Sequence, residues 1–142
     1  MEAKALTIEV NHLGDMAFSI DIRGHNLVTD QPVQGGGEDC GPMPTELLVA
    51  SLAVSVAFHG RGFLHGRGLA DAVQVSARWW AELGPARVAR VELRVYAPGL
   101  PVDLRDEFQT VLDNSSVRNA LLNPPELLIE VLPESRQSAA VR

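Results

Sequence analysis

The sequence predicts an α+β fold. Three observations carry that reading: apolar residues alternate with polar ones in separate stretches of both halves, a long apolar helical segment lies between them, and the element order is strands, helix, strands, helices, strand. That order differs from the strict strand–helix alternation of a doubly wound parallel sheet. A chain of 142 residues fits one domain, taken as residues 1–142 with about 134–142 as a frayed polar tail.

From Lys4 to Val10 the apolar Leu6, Ile8 and Val10 alternate with Thr7 and Glu9, and from Met16 to Ile22 Phe18, Ile20 and Ile22 alternate with Ser19 and Asp21. Both stretches read as half-buried strands, joined as an antiparallel hairpin across the turn-rich residues 11–15. A short third strand is expected at His25 to Thr29. Residues 30–44, "DQPVQGGGEDCGPMP", show no periodicity and are rich in Gly and Pro, so they form a loop that feeds a helix. Pro44 suits the first helical position, and the Glu46 carboxylate in the first turn meets the positive end of the helix dipole. The helix is expected to run to about Phe58, where the near-repeat "HGRGFLHGRG" ends or loosens it.

In the second half Val73, Val75, Ala77 and Trp79 form one alternating set and Ala89, Val91, Leu93 and Val95 another, with "LGPAR" as the turn between them. Residues 101–122 carry Leu104, Phe108, Val111 and Leu112 at helical spacing, with Pro101 and Asp103 as start signals. "ELLIEV" closes the order as a last strand with Leu127, Ile129 and Val131 inward. So apolar a central helix exceeds what one thin sheet can cover, and homodimerisation is the natural remedy.

Twelve basic and eighteen acidic residues give a formal charge of -6, which disfavours nucleic acid and anionic membrane as partners. Aromatics at 5% leave little material for a base-stacking platform. The longest apolar run, Leu47 to Phe58, is short for a membrane span, and the first ten residues lack a basic-then-apolar signal pattern; a cytoplasmic location is expected. One cysteine, Cys40, excludes an intrachain disulfide and a multi-cysteine metal cage.

The chemical candidates begin with Ser51, Ser55 and His59, which recur at every fourth position and therefore stack on one helix face. A serine with a base one turn away can act as a nucleophile, although no acid is placed to orient His59 and no G-x-S-x-G elbow surrounds Ser55. Small serines that allow close helix packing are the plainer account. No metal site is expected, because His59 and His65 stand six apart, off a common helical face. Gly35 to Gly37 lack the Gly-Lys-Ser/Thr of a phosphate loop, and no cofactor is expected. Arg61 and Arg67 suit either an anion or a solvated helix end. Cys40 lies four residues before Pro44, near a helix N-terminus, a setting that lowers a thiol pKa; a partly buried, inert loop cysteine is the alternative.

The run "GHNLVTDQPVQGGGEDCGPMPTELLVASLAVSV" resembles the OsmC/Ohr family, whose members show a Gly-rich segment, then G-P-x-P-x-E-L-L-x-A-S-L-A and, two positions later, a reactive cysteine. Gly41, Pro42, Pro44, Glu46, Leu47, Leu48, Ala50, Ser51, Leu52 and Ala53 match it, and Ser55 stands in that cysteine's place. The second family cysteine opens a C-P-V-x-x-x-L segment, matched here by Val117 and Leu121 with Ser115 in the cysteine's place. The resemblance implies two small antiparallel sheets around a long central helix in an intertwined homodimer, with two sites at the subunit boundary. It also implies organic hydroperoxide reduction, in which one thiolate attacks, a second resolves the sulfenic acid, and an Arg with a Glu assists. Neither Ser55 nor Ser115 can perform those sulfur steps. Thr45 stands where the assisting Glu would follow the proline, Glu46 is one place later, and Arg23 is the only arginine before the helix. The expectation is a non-peroxidase member that keeps a pocket for a small apolar ligand, with Ser55, Ser115 and His59 as polar contacts. The alternatives are a peroxidase acting through Cys40 and a hydrolase acting through Ser55.

Overall fold

The computed structural model describes residues 5–134, and the expected frayed tail lies almost wholly outside them. Strands β1 (Glu9–Gly14), β2 (Ala17–Ile22) and β3 (His25–Thr29) form an antiparallel sheet in the order β1-β2-β3. Its register places Val10 beside Ile20 and Ile20 beside Leu27, so the even residues of β1 and β2 share one largely apolar face with the odd residues of β3. The first strand corrects the expectation of Lys4 to Val10. Pairing with β2 begins only at Glu9, while Leu6 and Ile8 precede it and lie exposed; the expected turn residues Asn11 to Gly14 are themselves strand.

A long loop containing one short 3-10 turn, Val33–Gly35, leads to helix α1 (Pro44–Gly66). The loop folds around the Asp30 carboxylate, which accepts backbone N–H bonds from Gln31, Glu38 and Cys40 at 2.7, 3.2 and 3.1 Å. The helix starts as expected, with Pro44 in its first turn and Glu46 Oε1 accepting the Met43 N–H at 2.9 Å.

It does not end at Phe58. The helix passes through Gly60 and Gly62 because its far half is anchored by Phe63 and Leu64, 5% and 0% exposed. Gly60 assists this packing: a Cβ there would lie 3.1 Å from Phe108 and 3.3 Å from Leu112, so its absence lets a neighbouring helix approach. The stop comes at Gly68, whose φ of 66° suits the left-handed position after a helix; the Gly68 and Leu69 N–H groups return to the His65 and Leu64 carbonyls. At 23 residues, with an 18-residue window of mean hydropathy 1.6, α1 has the length and composition of a membrane span, more than Leu47 to Phe58 alone suggested. One of its sides is nevertheless occupied by protein, packing against a second sheet and two further helices.

That second sheet pairs β4 (Gln74–Glu82) with β5 (Arg87–Tyr96), Val75 opposite Val95 and Trp79 opposite Val91. Helix α2 (Arg105–Asp113) follows a 3-10 turn at Val102–Leu104, and α3 (Ser116–Leu122) follows a break at Asn114 and Ser115. The core is Leu52, Val56, Phe63, Leu64, Phe108 and Leu112, with Val91, Leu93 and Val95 packed against it. The Phe63 and Phe108 rings meet edge to face at 5.4 Å.

The expected last strand is absent among the described residues. Leu127, Ile129 and Val131 are 80%, 95% and 84% exposed, and no strand among the described residues pairs with them. An alternating segment becomes a strand only on a sheet edge, and this chain's own fold carries residues 124–133 past its edges into solvent.

Candidate functional site

Spacing along α1 brings Ser51, Ser55 and His59 to one face, and α3 supplies the facing wall. The three side chains, with Val54, Phe58, Ser116 and Val117, line an open concavity of about 330 Å³. Ser55 is buried, its Oγ lying 3.4 Å from Ser116 Oγ and accepting the Val117 N–H at 3.4 Å. Both contacts are at the long limit for hydrogen bonds. Ser51 Oγ donates to the Leu48 carbonyl at 2.7 Å.

His59 Nδ1 lies 2.9 Å from the Ser55 carbonyl oxygen. A carbonyl only accepts, so Nδ1 carries the proton and Nε2 is the ring's free acceptor in the neutral form. The imidazole is therefore tied to the Ser55 backbone and not to its hydroxyl, and no carboxylate lines the concavity. A serine nucleophile with His59 as its base is not assembled in this arrangement.

Ser115 sits at the start of α3, fully buried, and its Oγ has no hydrogen-bond partner among the described residues. It makes no side-chain cap bond to the helix. Its neighbour Ser116, which the sequence reading passed over, is the residue whose hydroxyl reaches Ser55; the Ser-Ser pair interrupting a helical pattern was the available signal.

The remaining candidates lie elsewhere. Glu46 is spent on the N-terminal cap of α1, and Arg23 occupies the turn between β2 and β3 with a φ of 51°. Arg61 pairs with Asp71 at 3.1 Å, while Arg67 pairs with Glu107 at 3.2 Å and lies 3.6 Å over the Phe63 ring. Neither arginine holds an open anion site. Among the described residues no three His, Cys, Asp or Glu side chains gather as a metal would require.

Cys40 departs from both sequence readings. Its thiol is exposed, not partly buried, and its pKa is raised, not lowered. Local desolvation is the largest cause, followed by the hydrogen bond and charge of Asp30, then the charges of Glu38 and Asp39. Proximity to a helix N-terminus in sequence is outweighed by this acidic loop, which holds the thiol in its less nucleophilic form.

No family model matches the sequence, and no curated protein matches it. Solved structures do. A Psychrobacter arcticus protein assigned to osmotic stress induction and detoxification response superposes with a TM-score of 0.74 over 84% of this chain and 91% of its own, at 20% identity. An OsmC-like protein from Mycoplasma pneumoniae gives 0.69 over 87% and 91% at 12% identity. An organic hydroperoxide resistance protein OsmC from Legionella pneumophila gives 0.63 over 83% and 91% at 20% identity. With two small antiparallel sheets and a long intervening helix arranged as in these proteins, the chain has the OsmC-like fold.

Proposed function

We propose that this chain forms a homodimer of OsmC-like subunits that has lost two-thiol hydroperoxide reduction and binds a small, largely apolar molecule in the Ser51–Ser55–His59 concavity. The observation that supports the reading is a buried serine, Ser55, beside a concavity at the position where the family resemblance puts a thiol. Ser55 and Ser115 stand where the family resemblance puts thiols, and a hydroxyl forms neither a sulfenic acid nor a disulfide. Ser55 faces a concavity to which Val54, Phe58 and Val117 supply apolar wall and Ser51, His59 and Ser116 polar groups. An apolar lining with a few polar groups is the usual make-up of a small-molecule pocket.

Exposed apolar surface supports the dimer. Val54 and Phe58 on the open side of α1 are 53% and 72% exposed, and Val10 and Leu27 on the first sheet are 58% and 46% exposed. Surface of this kind is normally covered in a stable soluble protein.

The test is consumption of cumene hydroperoxide by the purified protein with excess dithiol, beside a Cys40→Ser variant, together with native mass spectrometry. No turnover by either protein, and a dimer that retains a small apolar ligand, is the expected result. Turnover that disappears in Cys40→Ser would assign peroxidase chemistry to Cys40 and overturn the proposal. Covalent labelling of Ser55 by a fluorophosphonate would overturn it in favour of a hydrolase.

A further inference from the structure

The β4–β5 sheet turns one face to the core, where Val91, Leu93 and Val95 pack. Side chains alternate across a strand, so the opposite face carries the even residues of β4 with their partners on β5. Four of these cross-strand pairs are charged: Ser76 with Arg94, Arg78 with Glu92, Trp80 with Arg90 and Glu82 with Arg87. The face thus holds four of the chain's twelve basic residues and two of its eighteen acidic ones. On a chain of net charge -6 it is a cationic island.

Its centre is already ordered. The Glu92 carboxylate accepts from Arg78 at 2.9 Å and, on its other oxygen, from Arg90, and both guanidinium groups lie against the Trp80 ring, 5.5 and 5.4 Å from its centroid. A guanidinium has five donors and Glu92 takes one from each arginine, so most of their donors face water on side chains 62% and 68% exposed. Arg94, one pair further along, is exposed, and its guanidinium has no partner among the described residues. Trp80 and, at the end of the same face, Tyr96 are 43% and 49% exposed. Arginine, tryptophan and tyrosine are the residue types that carry most of the binding energy at protein interfaces. Side chains held in place before binding lose little freedom on binding.

We propose that the outer face of β4 and β5 docks an extended acidic segment of a partner protein, with carboxylates on Arg94 and on the open donors of Arg78 and Arg90, and a large apolar side chain on Trp80. The spacing sets the recognised pattern. Arg94 and Arg90, the cross-strand neighbour of Trp80, are four residues apart on β5, about 13 Å. An extended partner rises by the same amount per residue, so a carboxylate and an apolar residue four positions apart reach Arg94 and Trp80 together. A nucleic acid strand brings a phosphate with every nucleotide against a chain of net charge -6, whereas an acidic segment interspersed with neutral residues brings fewer charges. The face lies across the sheet from the core and α1, so the inference is independent of the concavity and of the dimer.

The probe is a fluorescein-labelled dodecapeptide that alternates glutamate and serine, with one central glutamate replaced by phenylalanine, followed by anisotropy on adding the full chain. Saturable binding, weakened about tenfold or more by Arg94→Glu and by Trp80→Ala, is the expected result. Arg94→Glu removes no side-chain contact of the fold. The same change of charge off this face, Arg23→Glu in the turn between β2 and β3, is expected to alter binding by less than about threefold. Equal loss in Arg23→Glu would reduce the binding to net charge and overturn the proposal. Binding unchanged in Arg94→Glu and Trp80→Ala, or absent up to about 1 mM protein, would overturn it as well. A single-stranded oligothymidylate that binds more tightly than the peptide and displaces it would overturn the assignment to a protein segment in favour of nucleic acid.

Discussion

Ser115→Ala is expected to stabilise the protein. The residue is fully buried and its hydroxyl has no partner among the described residues, so the folded state bears the desolvation of a polar group without a compensating bond. That cost is about 1–3 kcal/mol. Opposing it is the usual loss on removing a serine that precedes a helix, about 0.5–2 kcal/mol, but α3 receives no side-chain bond from Ser115, so this loss does not apply. Removing one buried oxygen also leaves a small void, which offsets part of the gain. The net expectation is a gain of about 1 kcal/mol, read as a rise in melting temperature of about 3–5 °C for a chain of this size. Urea and thermal denaturation of the purified protein measure it, with Ser55→Ala as the control. Ser55 makes two long contacts, and its removal is expected to move stability by less than about 0.5 kcal/mol. Destabilisation of Ser115→Ala by 1 kcal/mol or more would refute the reasoning, because it would mean that Oγ is bonded.

Leu64→Ala is expected to cost about 2–5 kcal/mol, since Leu64 is fully buried in the core cluster and its removal leaves a cavity. A cost below 1 kcal/mol in urea denaturation would mean that the last two turns of α1 are not packed as described. Asp30→Asn is expected to loosen the loop at residues 31–40, measured as faster amide exchange at Glu38 and Cys40, and to speed alkylation of Cys40 near pH 8 by removing the adjacent negative charge. Unchanged exchange and alkylation would refute the anchoring role. The Asp30 pKa is lowered, first by the Cys40 N–H, then by those of Gln31 and, after opposing desolvation, Glu38. Its contribution is therefore fully present above the unfolded value of about 3.9 and is lost as pH falls through the lower folded value. In Asp30→Asn that acid-dependent loosening of the loop should vanish.

Local rules were legible wherever the partner of a residue lies nearby in sequence. The alternation of Phe18, Ile20 and Ile22 located β2, and Pro44 with Glu46 located the start of α1, because period and capping are properties of a few consecutive residues. The end of α1 was hidden because Gly60 faces Phe108 and Leu112, forty-eight and fifty-two positions away, and the glycine reads as a breaker until that contact is seen. Cys40 was misread for the same reason: Asp30 is ten residues earlier, and only the folded loop sets its charge against the thiol. At the site, helical spacing brought Ser51, Ser55 and His59 together, but not the bond from His59 to the Ser55 carbonyl that removes the ring from the hydroxyl. Leu127, Ile129 and Val131 alternate as a strand does, but among the described residues they meet no sheet edge and stay exposed.

The arrangement of α1 separates the residues that hold the fold from those that line the concavity. One side of the helix supplies Leu52, Val56, Phe63 and Leu64 to the core, while Ser51, Val54, Phe58 and His59 line the opening away from it. Ser55 lies between these sides, and neither it nor Ser115 belongs to the apolar cluster. The core cluster, in which Phe108 and Leu112 pack at Gly60, is thus built without either serine. What the two serines bring is polarity, because a hydroxyl demands hydrogen bonds more strongly than a thiol does. Ser55 partly meets that demand through Ser116 and Val117, and Ser115 does not meet it at all. A buried position that is polar without a partner is therefore expected to gain stability from alanine. Ser115 does not line the concavity, so stability and binding measured on the same Ser115→Ala variant separate the fold's demand from the site's.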